Sequence, residues 1–164
     1  MHFFRRFIIL LLISITLLTG CAEKTDLFAY TRGPAQFELS FPSVSGDTDA
    51  VTCTCIREIA PDDTVNITLT VIAPDRLKGF TVEIRDGSTT CGTDDMRIPL
   101  SADAAQGLTD LLTTLTEEGT PRKSPDGTHT IITTPTGTVT LDETLNPTEI
   151  ETNGRRAKVK WNAE

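Results

Sequence analysis

The chain has 164 residues, 17.9 kDa, and 15 Lys+Arg against 23 Asp+Glu, a formal charge of −8. A pI near 4.7 with no basic cluster excludes nucleic acid as a partner, because that binding rests on Lys and Arg neutralising phosphates. One Trp, one Tyr and two His leave little catalytic or stacking chemistry, while 29 Thr favour strands over helices.

Met1-His2-Phe3-Phe4-Arg5-Arg6 is a short positive start, and the apolar run Phe7 to Leu18 follows it. That run has 12 residues, whereas a spanning helix needs about 20, so the pattern predicts a signal-peptide core. It ends in Leu18-Thr19-Gly20-Cys21. Here the chain resembles bacterial lipoproteins, whose lipobox is Leu, a small residue, Gly or Ala, then Cys. The resemblance implies that residues 1–20 are removed and that Cys21 carries a thioether-linked diacylglycerol. The partner would then be a membrane, reached through that lipid on the extracytoplasmic face of a bacterial cell. Ala22 follows the Cys, so the aspartate retention signal of inner-membrane lipoproteins is absent, which allows an outer membrane where there are two. Removing Arg5 and Arg6 leaves 13 basic against 23 acidic groups, a net −10. Anionic headgroups repel such a domain, so the lipid must do the anchoring.

Residues 21–36 read as the lipidated Cys and a tether around Leu27, Phe28 and Tyr30 whose aromatics dock on the body. Residues 37–164 read as a single antiparallel β domain with one helix. Phe37 to Phe41 alternates apolar and polar, then stops at Pro42. Val51, Cys53 and Cys55 share one face of the next strand. Val65, Ile67, Leu69 and Val71 alternate with Asn66, Thr68 and Thr70, the strongest period-2 segment in the chain. Ala73 to Gly79 is a compact corner. Phe80, Val82 and Ile84 alternate next, Asp86-Gly87 turns into Ser88–Cys91, and Thr93-Asp94-Asp95 turns into Met96, Ile98 and Leu100. Ser101 can then cap a helix over 101–118. Asp103 sits in its first turn, and Ala104, Ala105, Leu108, Leu111, Leu112 and Leu115 form one apolar stripe. After a polar loop come strands at His129–Thr133 and around Val139 and Leu141.

The last unit, Thr148 to Trp161, is a hairpin on Asn153-Gly154, which suits a type I′ turn. That turn predicts a register with Glu151 facing Arg156, Ile150 facing Ala157 and Glu149 facing Lys158. About nine strands with one helix make a mainly β, α+β chain. The strand meander, the Ala-Pro-x-x-Leu-x-Gly corner, the helix and the closing strands resemble the LolA/LolB-type lipoprotein carriers. Small uncharacterised bacterial lipoproteins are similar in the same way. The resemblance implies a curved antiparallel sheet, an unclosed half-barrel, with the amphipathic helix as its lid over an apolar hollow.

Three cysteines remain beside Cys21. They read as buried free thiols, as one disulfide of Cys53 or Cys55 with Cys91, or as a three-thiolate metal or redox site, and the first is the plainest. The sequence supplies no C-x-x-C spacing and no calcium loop, so no metal and no cofactor are expected. His129 stands without a nucleophile motif and reads as an exposed strand histidine, and the chain is expected to be no enzyme. Two functional classes follow. One is a lipoprotein whose hollow, lined by Val51, Cys53, Ile67, Leu69, Val82, Leu108 and Leu112, holds a lipid or another apolar ligand. The other is a structural or interaction lipoprotein of the cell envelope with a packed core and no small ligand.

Overall fold

The computed structural model describes residues 26–42 and 50–162. The signal segment 1–20 and the lipobox Cys21 lie outside the described residues.

Alternation in the sequence becomes eleven strands: β1 (Ala35–Phe41), β2 (Val51–Ile59), β3 (Val65–Ala73), β4 (Thr81–Arg85), β5 (Ser88–Thr93), β6 (Met96–Pro99), β7 (Thr120–Lys123), β8 (Thr130–Thr133), β9 (Thr138–Leu141), β10 (Pro147–Thr152) and β11 (Arg155–Trp161). They form one antiparallel, unclosed sheet in the order β6-β5-β4-β3-β2-β1-β11-β10-β9-β8-β7. The chain starts in the middle and runs outward, strand by neighbouring strand, to the β6 edge. One helix, α1 (Ala102–Thr114), then carries it to the β7 edge. Five strands return it to the middle, where β11 pairs with β1.

The turns are built as their residues dictate. Asp86-Gly87 and Asn153-Gly154 both take two consecutive positive φ angles, 50° and 72° and then 48° and 75°. That is the type I′ geometry which matches the twist of a two-residue hairpin. It sets the closing register as expected, with Glu151 opposite Arg156, Ile150 opposite Ala157 and Glu149 opposite Lys158. Glu151 and Arg156 also pair in charge as expected, at 2.9 Å, whereas Glu149 meets Arg156 diagonally at 3.5 Å and not Lys158. Lys160 crosses to Glu38 at 3.2 Å on the same outer face.

The other face is apolar and continuous. Phe37 and Leu39, Cys53 and Cys55, Ile67, Leu69 and Val71 pack in one cluster with Ile132, Val139, Leu141, Ile150, Ala157 and Val159, and Leu111, Leu112 and Leu115 cover it. Phe37 stacks on Trp161 at a centroid distance of 4.9 Å, as their register places them.

Three expectations need correction. The strand count is eleven and not about nine. One extra strand is β7, whose exposed Thr-Pro-Arg-Lys has no alternation to read and lies at an edge, where Pro is tolerated. The helix runs over 102–114 and not 101–118. Ser101 caps it, accepting the Ala104 N–H at 3.3 Å. Its far end gives way because the Thr side chains compete for the backbone. Thr114 Oγ1 donates to the Asp110 carbonyl at 2.8 Å and Thr116 Oγ1 to that of Thr113 at 2.9 Å. Leu115 and Thr116 then wind tighter, donating their N–H groups three residues back. Finally, His129 is exposed, but it lies in the loop just before β8 and not in the strand.

Candidate functional site

α1 crosses the apolar face with two different flanks. One flank, Gly107, Leu108 and Leu111, borders a groove with Phe41 and Pro42 at the end of β1 and Gly154, Arg155 and Arg156 at the start of β11. This groove has a volume of about 590 Å³, within the range of small-molecule sites. The other flank, Thr109, Leu112 and Thr113, with Thr116 just beyond the helix, faces Val65, Ile67 and Ile84 across a smaller gap of about 160 Å³.

Of the seven residues expected to line a hollow, five fall on strands of the sheet and Leu108 and Leu112 on α1, but they do not share one cavity. Cys53, Ile67, Leu69 and Leu112 are buried in the core, while Val51, Val82 and Leu108 are partly buried and pack against it. Leu108 lines the large groove, and Ile67 and Leu112 line the small gap. Reasoning from the sequence missed Phe41, Gly107, Leu111 and Arg155 as groove residues. One signal was there to read: a glycine inside a helix costs about 1 kcal/mol against Ala, so Gly107 needs a reason. The reason is space. A Cβ on Gly107 would overlap the Arg155 guanidinium, which lies across the helix at that point.

At the opposite end of β1 a strap, residues 26–34, closes over the core. Its single 3-10 turn, Ala29–Thr31, buries Tyr30, so the expected docking of tether aromatics holds for Tyr30, with Phe28 packed beside the core. Arg57, inward on β2 and 3% exposed, fastens the strap. Its Nη2 donates to the carbonyls of Tyr30 at 2.8 Å and Arg32 at 3.3 Å, and its Nε to that of Gly33 at 3.0 Å. Burial lowers the Arg57 pKa, with the neighbouring Cys55 opposing. The Tyr30 hydroxyl is buried without a hydrogen-bond partner among the described residues, and burial, then the Glu118 charge, pushes its pKa up to about 12. Arg32 ties the outside of the strap to Glu118 at 2.8 Å and to Asp26 at 2.9 Å.

Cys53, Cys55 and Cys91 are free and buried. β3 and β4 stand between β2 and β5, so a bridge to Cys91 would have to cross two strands. Burial raises the Cys53 pKa, and burial first, then the Cys53 charge, pushes Cys55 up to about 12 against the opposing pull of Arg57. Such thiols are poor nucleophiles, since the thiolate is the reactive form. All three are shielded by burial, so iodoacetamide is expected to leave them unmodified in the folded protein. After denaturation it should modify three residues per chain if Cys21 is held as a thioether and four if it is not, counted by mass spectrometry. Modification of Cys53 or Cys55 in the folded protein would contradict the packing of β2.

Among the described residues no three His, Cys, Asp or Glu side chains converge where a metal ion could be held. No helix among them is long and apolar enough to cross a membrane. No protein-family model and no curated protein matches this chain.

Proposed function

We propose that this protein is a lipid-anchored extracytoplasmic lipoprotein that binds or carries a lipid or another apolar ligand, with α1 as the lid of a half-barrel. The groove of about 590 Å³ between α1 and β1/β11 carries the reading. Chain length supports the curvature. From β6 to β7 the link is 13 helical residues, about 20 Å, plus seven others that reach about 24 Å when extended. A flat sheet of eleven strands would put its edges about 48 Å apart. The link would then fall short, whereas a curled sheet brings the edges together.

The anchor fits the same picture. Asp26 lies five residues after Cys21, at most about 18 Å along the chain. A lipid on Cys21 therefore holds the strap end near the membrane, and the groove mouth opens at the far end of β1, about 20 Å along the strand. The competing reading, a structural or interaction lipoprotein, draws on the filled core under α1 and on Tyr30 plugging the strap end.

Mass spectrometry of lipids extracted from the purified full chain separates the two. An acyl compound should co-purify near one per chain, and Leu108→Trp, which fills the groove, should reduce it several-fold at an unchanged melting temperature. Ligand no more abundant than on an unrelated lipoprotein prepared in parallel would overturn carriage in favour of the packed-core reading.

A further inference from the structure

We infer that the groove is built for a single-chain anionic amphiphile, a long-chain fatty carboxylate whose head meets Arg155. This rests on the carrier reading and adds to it a head-group chemistry.

The argument starts from the lining. Phe41, Pro42, Leu108 and Leu111 are apolar and offer an alkyl chain nothing but surface to bury. One wall is different. Arg155, opposite Thr152 at the start of β11, folds its guanidinium over α1 into the space that Gly107 leaves empty. It lines the apolar groove on one side and on the other a polar cleft with Gln106, Thr152 and Asn153. An amphiphile needs that juxtaposition, with the tail in the apolar part and the head at the boundary.

Charge favours an anion there. Arg156, the next residue, is already engaged by Glu149 and Glu151, and Lys160 by Glu38. Arg155 has no carboxylate within 4 Å among the described residues. The acids of the polar cleft are Asp103 and Asp110. Asp110 is occupied, accepting from Gln106 Nε2 at 2.8 Å and Asn153 Nδ2 at 3.2 Å. In a chain of net charge −8, a cation set against this apolar groove runs opposite to the background. The planar fork of a guanidinium suits a carboxylate, which it can hold with two parallel hydrogen bonds. A neutral chain of equal length gains no such contact, and a cationic one is repelled.

The test is photo-crosslinking of the full chain in neutral detergent with two probes of one length, a diazirine-bearing palmitic acid and the matching alcohol. Label is read by mass spectrometry on the tryptic peptide covering residues 98–122, which contains all of α1. The acid should label about three- to tenfold more than the alcohol at low salt, with the difference shrinking as salt rises. Arg155→Gln should bring the acid down to the level of the alcohol and leave the alcohol unchanged, at an unaltered melting temperature. Equal labelling by both probes, or a preference that survives Arg155→Gln, overturns the inference while carriage stands. Absence of label from both probes on this peptide overturns carriage, and the inference falls with it.

Discussion

Leu69→Asp is expected to leave the domain unfolded, while Thr68→Asp costs at most about 1 kcal/mol. The two positions are neighbours on β3 and face opposite ways. Leu69 is 2% exposed and sits between Cys55 on β2 and Val82 on β4, in the middle of the cluster that α1 covers. Losing the leucine removes about 2–3 kcal/mol of burial. Placing a carboxyl group there without a partner adds several kcal/mol more. That total is comparable to the whole stability of a domain this size, about 5–15 kcal/mol. Thr68 lies on the outer face opposite Ile56 and Glu83. The new carboxylate would stand directly across from that of Glu83, which is why a small penalty is expected and not silence. Circular dichroism with urea unfolding checks both. The reverse outcome would mean that the faces of β3 are assigned the wrong way round, since a slip of one residue exchanges them, and similar behaviour would mean that β3 has no single buried face.

What can be read in the chain follows from which interactions are local. The period of two in β3 and the Asn153-Gly154 turn act over neighbouring residues, so both face and register are legible in the amino-acid order itself. The end of α1 is not. The leucine stripe continues through Leu115, but the hydroxyls of Thr114 and Thr116 draw on the same carbonyls as the helix. β7 is illegible for the opposite reason, as it has no buried side to leave a pattern. The groove needs two distant segments at once. Leu108 stands out from the helical period, whereas Phe41 and Arg155 join it only because β11 returns beside β1. Arg57 is half legible. It continues the inward alternation of Cys53 and Cys55, but an arginine near a strand end ordinarily reaches water. Its burial depends on the carbonyls of a strap more than 20 residues earlier in the chain.

Arg57→Met is expected to loosen the strap and to cost about 3–5 kcal/mol. The substitution keeps most of the side-chain volume, so little of the effect arises from a cavity. A buried charge can often be exchanged for an apolar residue without loss, because its desolvation penalty leaves with it. Here a new penalty takes its place, since Arg57 has no carboxylate partner among the described residues and spends its donors on backbone. Removing it strips the carbonyls of Tyr30, Arg32 and Gly33 of their donor in a place where Tyr30 is 5% exposed. The strap can satisfy them only by lifting into water, and that withdraws Tyr30 from the core. Hydrogen exchange should therefore rise first over residues 26–34. The β9 and β10 strands, which carry the fully buried Val139, Leu141 and Ile150, should stay protected until global unfolding. Arg57→Lys should fall between, because an ammonium keeps the charge but reaches fewer of the three carbonyls. If the methionine variant melts with the wild type and its strap exchanges as slowly, the three carbonyls do not depend on Arg57. The strap would then be held by the packing of Phe28 and Tyr30 alone.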